Sequence, residues 1–522
     1  MRLILALILS LFCCQNLLAS APSVFVGSRE GDPDSLVQNV SVIHGDYSEL
    51  EVDLCISGPD PLVLSRFYTS QATLDVASFG GWRLQPQTFF LICPTPKQDS
   101  FQNPYLDIFV GTSEGSLLKF SGFQNWENPE VHSEFLVDFE EDQVGICNTA
   151  KGPPSSWTNI KNHVLKYNPQ SQSFELHLSS GGKRTYTKSH TPHQFHLTQE
   201  VLPTGNQISY EYDKDLRLKH IKMTNAQNSK TLSWITIDYG SAILATASDG
   251  TCAEYCLEKD PSGASLLTEV QRTSFSLCTY EYEVEGENAL LIRKEHPNGL
   301  YTEIDYERGS SRRVKTLSTP HSEGVTQTQF FYEEGATKVQ TSFGQKVLYY
   351  YDEKRRLTAI EETLNDISYR TTRKTWGKRK DQGNLVALSV EDALKNTLYY
   401  KTLSYDLEGS ILEETEYGNL TGENNDPITF NRRGKPEKNQ ECYTKTFTYT
   451  SFPSEDIISQ INEKGNGTLI AYLPGTSIVK RKEIHHNKQA KRRTFYDYNT
   501  DGALTCVTVD NGDACSNCRP SR

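Results

Sequence analysis

The chain has 522 residues and a formal charge of −13, from 53 Lys and Arg against 66 Asp and Glu. A long polyanion repels nucleic acid and anionic lipid, which excludes a general role as a binder of either. The length suits two to four domains or one extended repeat array, and 27 Tyr and 22 Phe against 2 Met favour half-buried pleated strands over helices.

Residues 1–21 read as an export signal. Arg2 supplies a basic start, Leu3 to Phe12 is an apolar run too short to span a bilayer, and Ala19, Ser20 and Ala21 are small. Cys13 and Cys14 raise lipidation as an alternative, but Ser10, Leu11 and Phe12 lack the small residue wanted just ahead of a lipidated cysteine. No later stretch is apolar enough to be a transmembrane span. Ten cysteines follow the signal, and in an exported chain they permit disulfides whose pairing the sequence leaves open. Cys252 and Cys256 are too far apart on an extended strand to bridge each other.

Residues 22–160 form an opening β region. Ser41-Val42-Ile43-His44-Gly45-Asp46-Tyr47 and Leu50-Glu51-Val52-Asp53-Leu54 alternate with period two. Next come Ser57-Gly58-Pro59, then Leu64-Ser65-Arg66-Phe67-Tyr68-Thr69-Ser70, then Phe79-Gly80-Gly81-Trp82-Arg83.

Residues 161–510 carry a repeated unit: Tyr, then Asp or a relative, two residues, Gly or a substitute, one residue, and an aliphatic. It occurs as Tyr212-Asp213 with Leu218, Tyr351-Asp352 with Leu357, Tyr405-Asp406 with Gly409 and Ile411, and Tyr498-Asn499 with Gly502 and Leu504. Tyr282-Glu283 and Tyr306-Glu307 are looser copies. In each unit a strand ends on a packed Tyr. Asp accepts backbone hydrogen bonds in the turn, and Gly supplies a positive φ where present. One hairpin cannot bury its apolar face alone, so the units must stack. Asp366 to Lys380 is the least strand-like stretch, and residues 511–522 form a tail with Cys515 and Cys518 as candidates for a small disulfide loop.

These units resemble the YD repeats of RHS and teneurin-type proteins. The opening segment, with Arg66, Tyr68, Gly81 and Trp82, is similar to the start of many bacterial RHS chains. The resemblance covers roughly residues 40–510, more weakly near 95–160 and 420–475. It implies an all-β fold of stacked antiparallel hairpins, a spiralling sheet or partial hollow shell. In larger relatives that shell encloses a C-terminal toxin or an apolar plug. The Asp-Pro-x-Gly-Leu type boundary motif is missing and no toxin domain follows, so a short bacterial member is expected and self-cleavage is not carried over.

Other chemistry is weaker. Asp497, Asn499 and Asp501 with Gly502 look like the start of a calcium loop, but its twelfth position is Thr508 instead of Glu and the Tyr498 turn already explains these residues. The basic run from Lys480 to Arg493 suggests either an acidic ligand or a solvated hairpin; the chain's charge favours the latter. Cys515 and Cys518 would need two further ligands for zinc, so a disulfide or loose tail is favoured. Glu361-Glu362 and Glu413-Glu414 point to opposite strand faces and cannot share one bond. No hydrolase, P-loop or dinucleotide fingerprint is present. The expectation is a non-enzymatic exported scaffold without cofactor, acting through its surface or an enclosed cargo, with a protein or glycan partner. A surface adhesin and a hydrolase inside the shell are the alternatives.

Overall fold

The computed structural model describes residues 33–70, 79–85, 90–98, 104–111, 117–123, 134–136 and 164–510, apart from 169, 179–181, 189–194, 226–228, 262, 274–276, 286–287, 310–311, 322–323, 379–383, 407–409, 424–425, 451–456, 464–465, 475 and 488. The export signal with Cys13 and Cys14, Gly409, and the tail with Cys515 and Cys518 lie outside the described residues.

The chain opens with a short hairpin, β1 (Leu36–Val37) and β2 (Val40–Ser41). A three-stranded sheet follows in the order β3 (Ser48–Ile56), β4 (Leu62–Thr69), β5 (Trp82–Gln85). A second one joins β6 (Phe90–Gln98), β7 (Pro104–Gly111) and β8 (Leu117–Phe123). Then β9 (Glu134–Leu136) pairs with β10 (Val164–Asn168), and from β10 each strand pairs with the next, always antiparallel, to β37 (Leu504–Asp510). Among the described residues no register joins β37 back to β9, so this sheet is open. The described residues contain no α-helix.

The sheet spirals. The turn between β13 (Phe195–Val201) and β14 (Gln207–Tyr212) meets the turn between β34 (Asn466–Tyr472) and β35 (Val479–His486), where Ser477 donates its backbone N–H to Pro203 at 2.8 Å. The turn between β15 (Leu218–Thr224) and β16 (Thr231–Tyr239) meets the one between β36 (Gln489–Tyr498) and β37, where Asn225 Nδ2 donates to the Thr500 carbonyl at 2.8 Å. Both contacts join turns 21 strands apart (34 − 13 and 36 − 15), so one coil takes 21 strands and a second coil begins on the rim of the first.

The tyrosines of the repeat explain how the hairpins stack. Tyr212, Tyr306, Tyr351 and Tyr405 stand opposite Leu218, Val314, Leu357 and Ile411, each at a register shift. The carbonyl of that aliphatic accepts a hydrogen bond from the next ring along the sheet. Tyr239 donates to Leu218 at 2.9 Å, Tyr332 to Val314 at 2.7 Å, Trp376 Nε1 to Leu357 at 2.7 Å and Tyr449 to Ile411 at 2.7 Å. Tyr282, Tyr306, Tyr405 and Tyr498 make the same bond to Leu267, Leu291, Leu385 and Val479. Each ring thus fills the bulge and satisfies the carbonyl that the bulge frees from the ladder.

The Asp of each unit caps its turn. Asp213 Oδ1 accepts the backbone N–H groups of Asp215 and Arg217, both at 2.9 Å. Asp352 accepts from Arg356 at 3.0 Å, and Asp406 from Ser410 at 2.8 Å. The position three after the Asp, or after Asn499 in the last unit, has positive φ: Gly502 at 82°, but Leu216 at 62° and Arg355 at 59°.

One expectation is corrected. The stretch from Asp366 holds a ten-residue strand, β28 (Ile367–Trp376). Its basic residues are split between the two faces, Arg370 and Lys374 on one and Arg373 on the other, and Trp376 takes the tyrosine's place in the repeat.

Candidate functional site

The inner face of the first coil is occupied by the opening segment. In β4 the burial alternates strictly, with Leu62, Leu64, Arg66 and Tyr68 inward. Period two therefore puts an arginine on the apolar side of the strand, where a charge is costly unless paired. Arg66 is 1% exposed. Its Nε meets Asp53 at 3.0 and 3.2 Å, its Nη2 donates to the Tyr280 hydroxyl at 2.6 Å, and its guanidinium lies 4.4 Å from the centre of the Trp82 ring.

Asp53 sits at the bulge of β3. It also binds Arg272 at 2.7 Å and accepts from the Tyr255 hydroxyl at 2.9 Å. Two residues earlier, Glu51 meets Arg272 at 2.8 Å. Lys294, 2% exposed on β21 (Asn288–Glu295), bridges Glu49 and Glu51. Three carboxylates of β3 thus face Arg66, Arg272 and Lys294, and the group is neutral as a whole. Burial pushes the Glu49 carboxyl up, although Lys294 opposes it. Burial also works against the charge of Glu51, but Lys294 and Arg66 prevail and hold it at about 2.

Around these charges the packing is aromatic. The Trp82 ring lies 5.3 Å from Tyr68 and 5.4 Å from Tyr280, and none of its surface is exposed. The Tyr68 hydroxyl accepts the Leu291 N–H at 2.8 Å, tying β4 to the repeat sheet. Gly81 has φ +89°, and a Cβ there would meet the Tyr68 ring at 2.8 Å. Leu54, Leu62, Leu64, Leu84 and Val42 complete this core. Each fully buried aliphatic of this kind contributes about 1.5–3 kcal/mol.

The opening segment reaches further sites on the sheet. Asp60 Oδ2 accepts from Asn206 at 2.7 Å and Thr204 at 2.5 Å. Asp34 pairs with Lys374 at 2.7 Å. Beyond Asp34 and Leu36 the inner face of β26 (Gln345–Tyr351), β27 (Leu357–Leu364), β28, β29 (Leu385–Asp392) and β30 (Thr397–Tyr405) bounds a cavity of about 770 Å³. Burial pushes the hydroxyl of Tyr349, which lines it, up to about 12, and Asp34 and Glu362 add to that. It remains protonated at neutral pH.

The residues singled out in the sequence therefore fall in two places. Arg66, Tyr68, Gly81 and Trp82 come together in the buried cluster, while Tyr212, Asp213, Tyr351, Asp352, Tyr405, Asp406, Tyr498 and Gly502 lie at turns along the sheet. Asp497, Asn499 and Asp501 form no oxygen cage. Asn499 Oδ1 accepts the N–H groups of Asp501 and Ala503, and Asp501 pairs with Lys230 at 2.7 Å. Among the described residues no group of three His, Cys, Asp or Glu is placed to hold a metal ion. Cys252, Cys256, Cys278, Cys442 and Cys506 are free thiols. The basic run is divided between two strand faces, with Arg481 on Glu483 at 3.1 Å and Arg493 near Asp510 at 3.9 Å. Glu361 and Glu362 part as expected, one toward Tyr350 and the other lining the cavity.

Sequence reasoning missed Asp53, Arg272, Lys294 and the cavity. An inward-phase arginine at Arg66 was the available signal, since it demands buried acids. Tyr239, Trp376 and Tyr449 were also missed as repeat positions because Gly or Thr follows each in place of the acid, and Tyr332-Glu333 was missed although it matches the looser copies.

No known protein family's profile matches the sequence, and no curated protein matches it. Solved structures similar to it include the TcdB2-TccC3-Cdc42 complex, at 10% identity and a TM-score of 0.35, over 90% of this chain and 31% of that one. TcdB2-TccC3 without its hypervariable C-terminal region gives 11% and 0.21, over 91% and 35%. A porin-like protein from Bacteroides uniformis gives 12% and 0.19, over 45% and 94%. The chain spans about a third of the length of the first two. No helix among the described residues is long and apolar enough to cross a membrane.

Proposed function

We propose that the chain is an exported, non-enzymatic YD-repeat shell that works as a scaffold through its enclosed surfaces. The observation that carries this reading is the seating of one coil on the next, through Ser477 on Pro203 and Asn225 on Thr500, around an opening segment locked to the inner face. A spiral of stacked hairpins places a continuous lining around whatever lies inside it. The lining uses its buried charges to hold its own N-terminal segment, which is a structural use of acids and bases rather than a catalytic one.

Small-angle scattering of the purified chain tests this. A pair-distance distribution with an internal void, together with no turnover of glycosides, esters or peptides, is the expected result. A solid particle or an extended ribbon would overturn the shell, and turnover of any of those substrates would overturn the non-enzymatic role.

A second reading, a glycan-binding surface, is supported by one feature. Trp234 is 36% exposed and lies stacked 6.3 Å from His220. Exposed flat rings of this kind suit sugar faces, and a glycan array in which Trp234→Ala abolishes every signal would favour it.

A further inference from the structure

The cavity beside the opening segment has its own chemistry. Its walls include Val347, Ile360, Leu388 and Val390. Its volume of about 770 Å³ falls in the range of small-molecule sites, which are apolar with a few convergent polar groups. Gln345, Tyr349 and Thr372 line it too, and among the described residues their side-chain polar groups have no protein hydrogen-bond partner. This separates Tyr349 from the repeat tyrosines, whose hydroxyls are bound to strand carbonyls. A hydroxyl left without a protein partner against apolar walls is favourable only when water or a ligand bonds to it.

The charges at the cavity cancel. Arg370 lies 3.4 Å from Glu362, and Asp34 is held by Lys374 at 2.7 Å. A ligand with net charge would have to separate one of these pairs or go unmatched. An uncharged one leaves both intact.

We infer that this cavity binds a neutral small molecule with an apolar, ring-sized body and one or two hydrogen-bonding groups, which meet the Tyr349 hydroxyl, the Thr372 hydroxyl and the Gln345 amide. The apolar walls take the body and the three polar groups set its orientation. This goes beyond the scaffold role, because a bound small molecule needs no protein cargo and no closed shell.

The probe for the test is 2-naphthol, which is neutral at pH 7, has an apolar bicyclic body and carries one hydroxyl. Fluorescence titration of the full chain is expected to saturate at one molecule per chain. Tyr349→Phe keeps the shape and removes one bonding group, so affinity should fall about five- to tenfold. Thr372→Phe fills the space and should abolish binding. Val325→Ser, at a position 51% exposed and outside the cavity lining, should bind like the parent chain. Circular dichroism and the melting temperature establish that each variant is folded; if Thr372→Phe is not, the Tyr349→Phe titration decides. Absence of saturable binding by the parent chain, or binding by folded Tyr349→Phe and Thr372→Phe at parental affinity, would overturn the inference. Either result is independent of whether scattering finds a void.

Discussion

The carboxylate of Asp53 and the guanidinium of Arg66 meet where neither side chain reaches solvent, at 3.0 and 3.2 Å on neighbouring strands of the opening segment. Asp53 also carries Arg272. Removing it leaves two guanidinium groups short of their main counter-charge. Breaking a buried pair from one side costs about 3–5 kcal/mol, far more than an intact pair contributes. Asp53→Ala should therefore lower the melting temperature sharply in thermal unfolding followed by circular dichroism. Replacing Asp53 and Arg66 together by Leu should recover part of the loss, and a single variant with parental stability would refute the assignment.

The two glutamates that share Lys294 are expected to respond oppositely to pH. Glu51 is lowered from the ordinary 4.5 to about 2, so its stabilisation is full above pH 4.5 and is lost as pH falls toward 2. Glu49 is raised, so its buried charge weakens the fold at neutral pH and that penalty disappears as pH falls through its folded value. At pH 7 Glu51→Gln should cost on the order of 3 kcal/mol and Glu49→Gln much less. Urea midpoints measured at pH 7 and pH 4 check the order. Equal losses for the two variants at pH 7 would contradict it.

Much of this fold was legible because the repeat marks its own turns. A Tyr before an Asp, with an aliphatic six residues after the Tyr, contains the whole latch: ring, cap and the strand start whose carbonyl the next ring binds. Tyr212 with Leu218 and Tyr351 with Leu357 follow that spacing. The cavity and the buried cluster were not legible, because they depend on the curvature of the sheet. Arg272 and Asp53 are 219 residues apart, and no local pattern states that a coil closes over β3. Cys252 and Tyr255 look alike as strand residues, yet register alone sends Tyr255 inward to Asp53.

Leu216 occupies the turn position that Gly502 fills in the last repeat, with φ 62° and 82° respectively. A side chain in the left-handed region costs about 1–2 kcal/mol, partly offset by the unfolded-state freedom that a glycine adds. Leu216→Gly should thus raise stability by about 0.5–1 kcal/mol, and Gly502→Ala should lower it by a similar amount. Chemical denaturation of both variants measures this. Destabilisation by Leu216→Gly would show that the leucine's packing outweighs its backbone strain.

Trp82 lies between Tyr68 and Tyr280 and under the Arg66 guanidinium, with no exposed surface. Truncation to Ala removes the ring, the cation–π contact and the wall of the charge cluster together. Loss of a fully buried aromatic costs about 3–5 kcal/mol. An unchanged melting temperature in Trp82→Ala would mean that the opening segment does not seat in the sheet as described.

The seam between coils rests on unequal contacts. Asn225 is 5% exposed and its amide reaches the Thr500 carbonyl at 2.8 Å. The nearby Lys230–Asp501 pair is closer, at 2.7 Å, but the lysine side chain is 58% exposed. An exposed ion pair contributes little, whereas an amide withdrawn from the turn leaves a carbonyl without its donor. Asn225→Ala should therefore loosen the second coil, and Lys230→Ala should do so only slightly. Because β34 to β37 touch the first coil through few such bonds, the loosening should be local. Hydrogen exchange read by mass spectrometry is expected to show faster exchange from β34 through β37 in Asn225→Ala, with β14 to β16 unchanged. Uniformly faster exchange would mean that the two coils unfold as one unit. Exchange identical to the parent chain would mean that the second coil is held by its strand pairing to β33 (Ile457–Glu463) alone and that the seam bears no load.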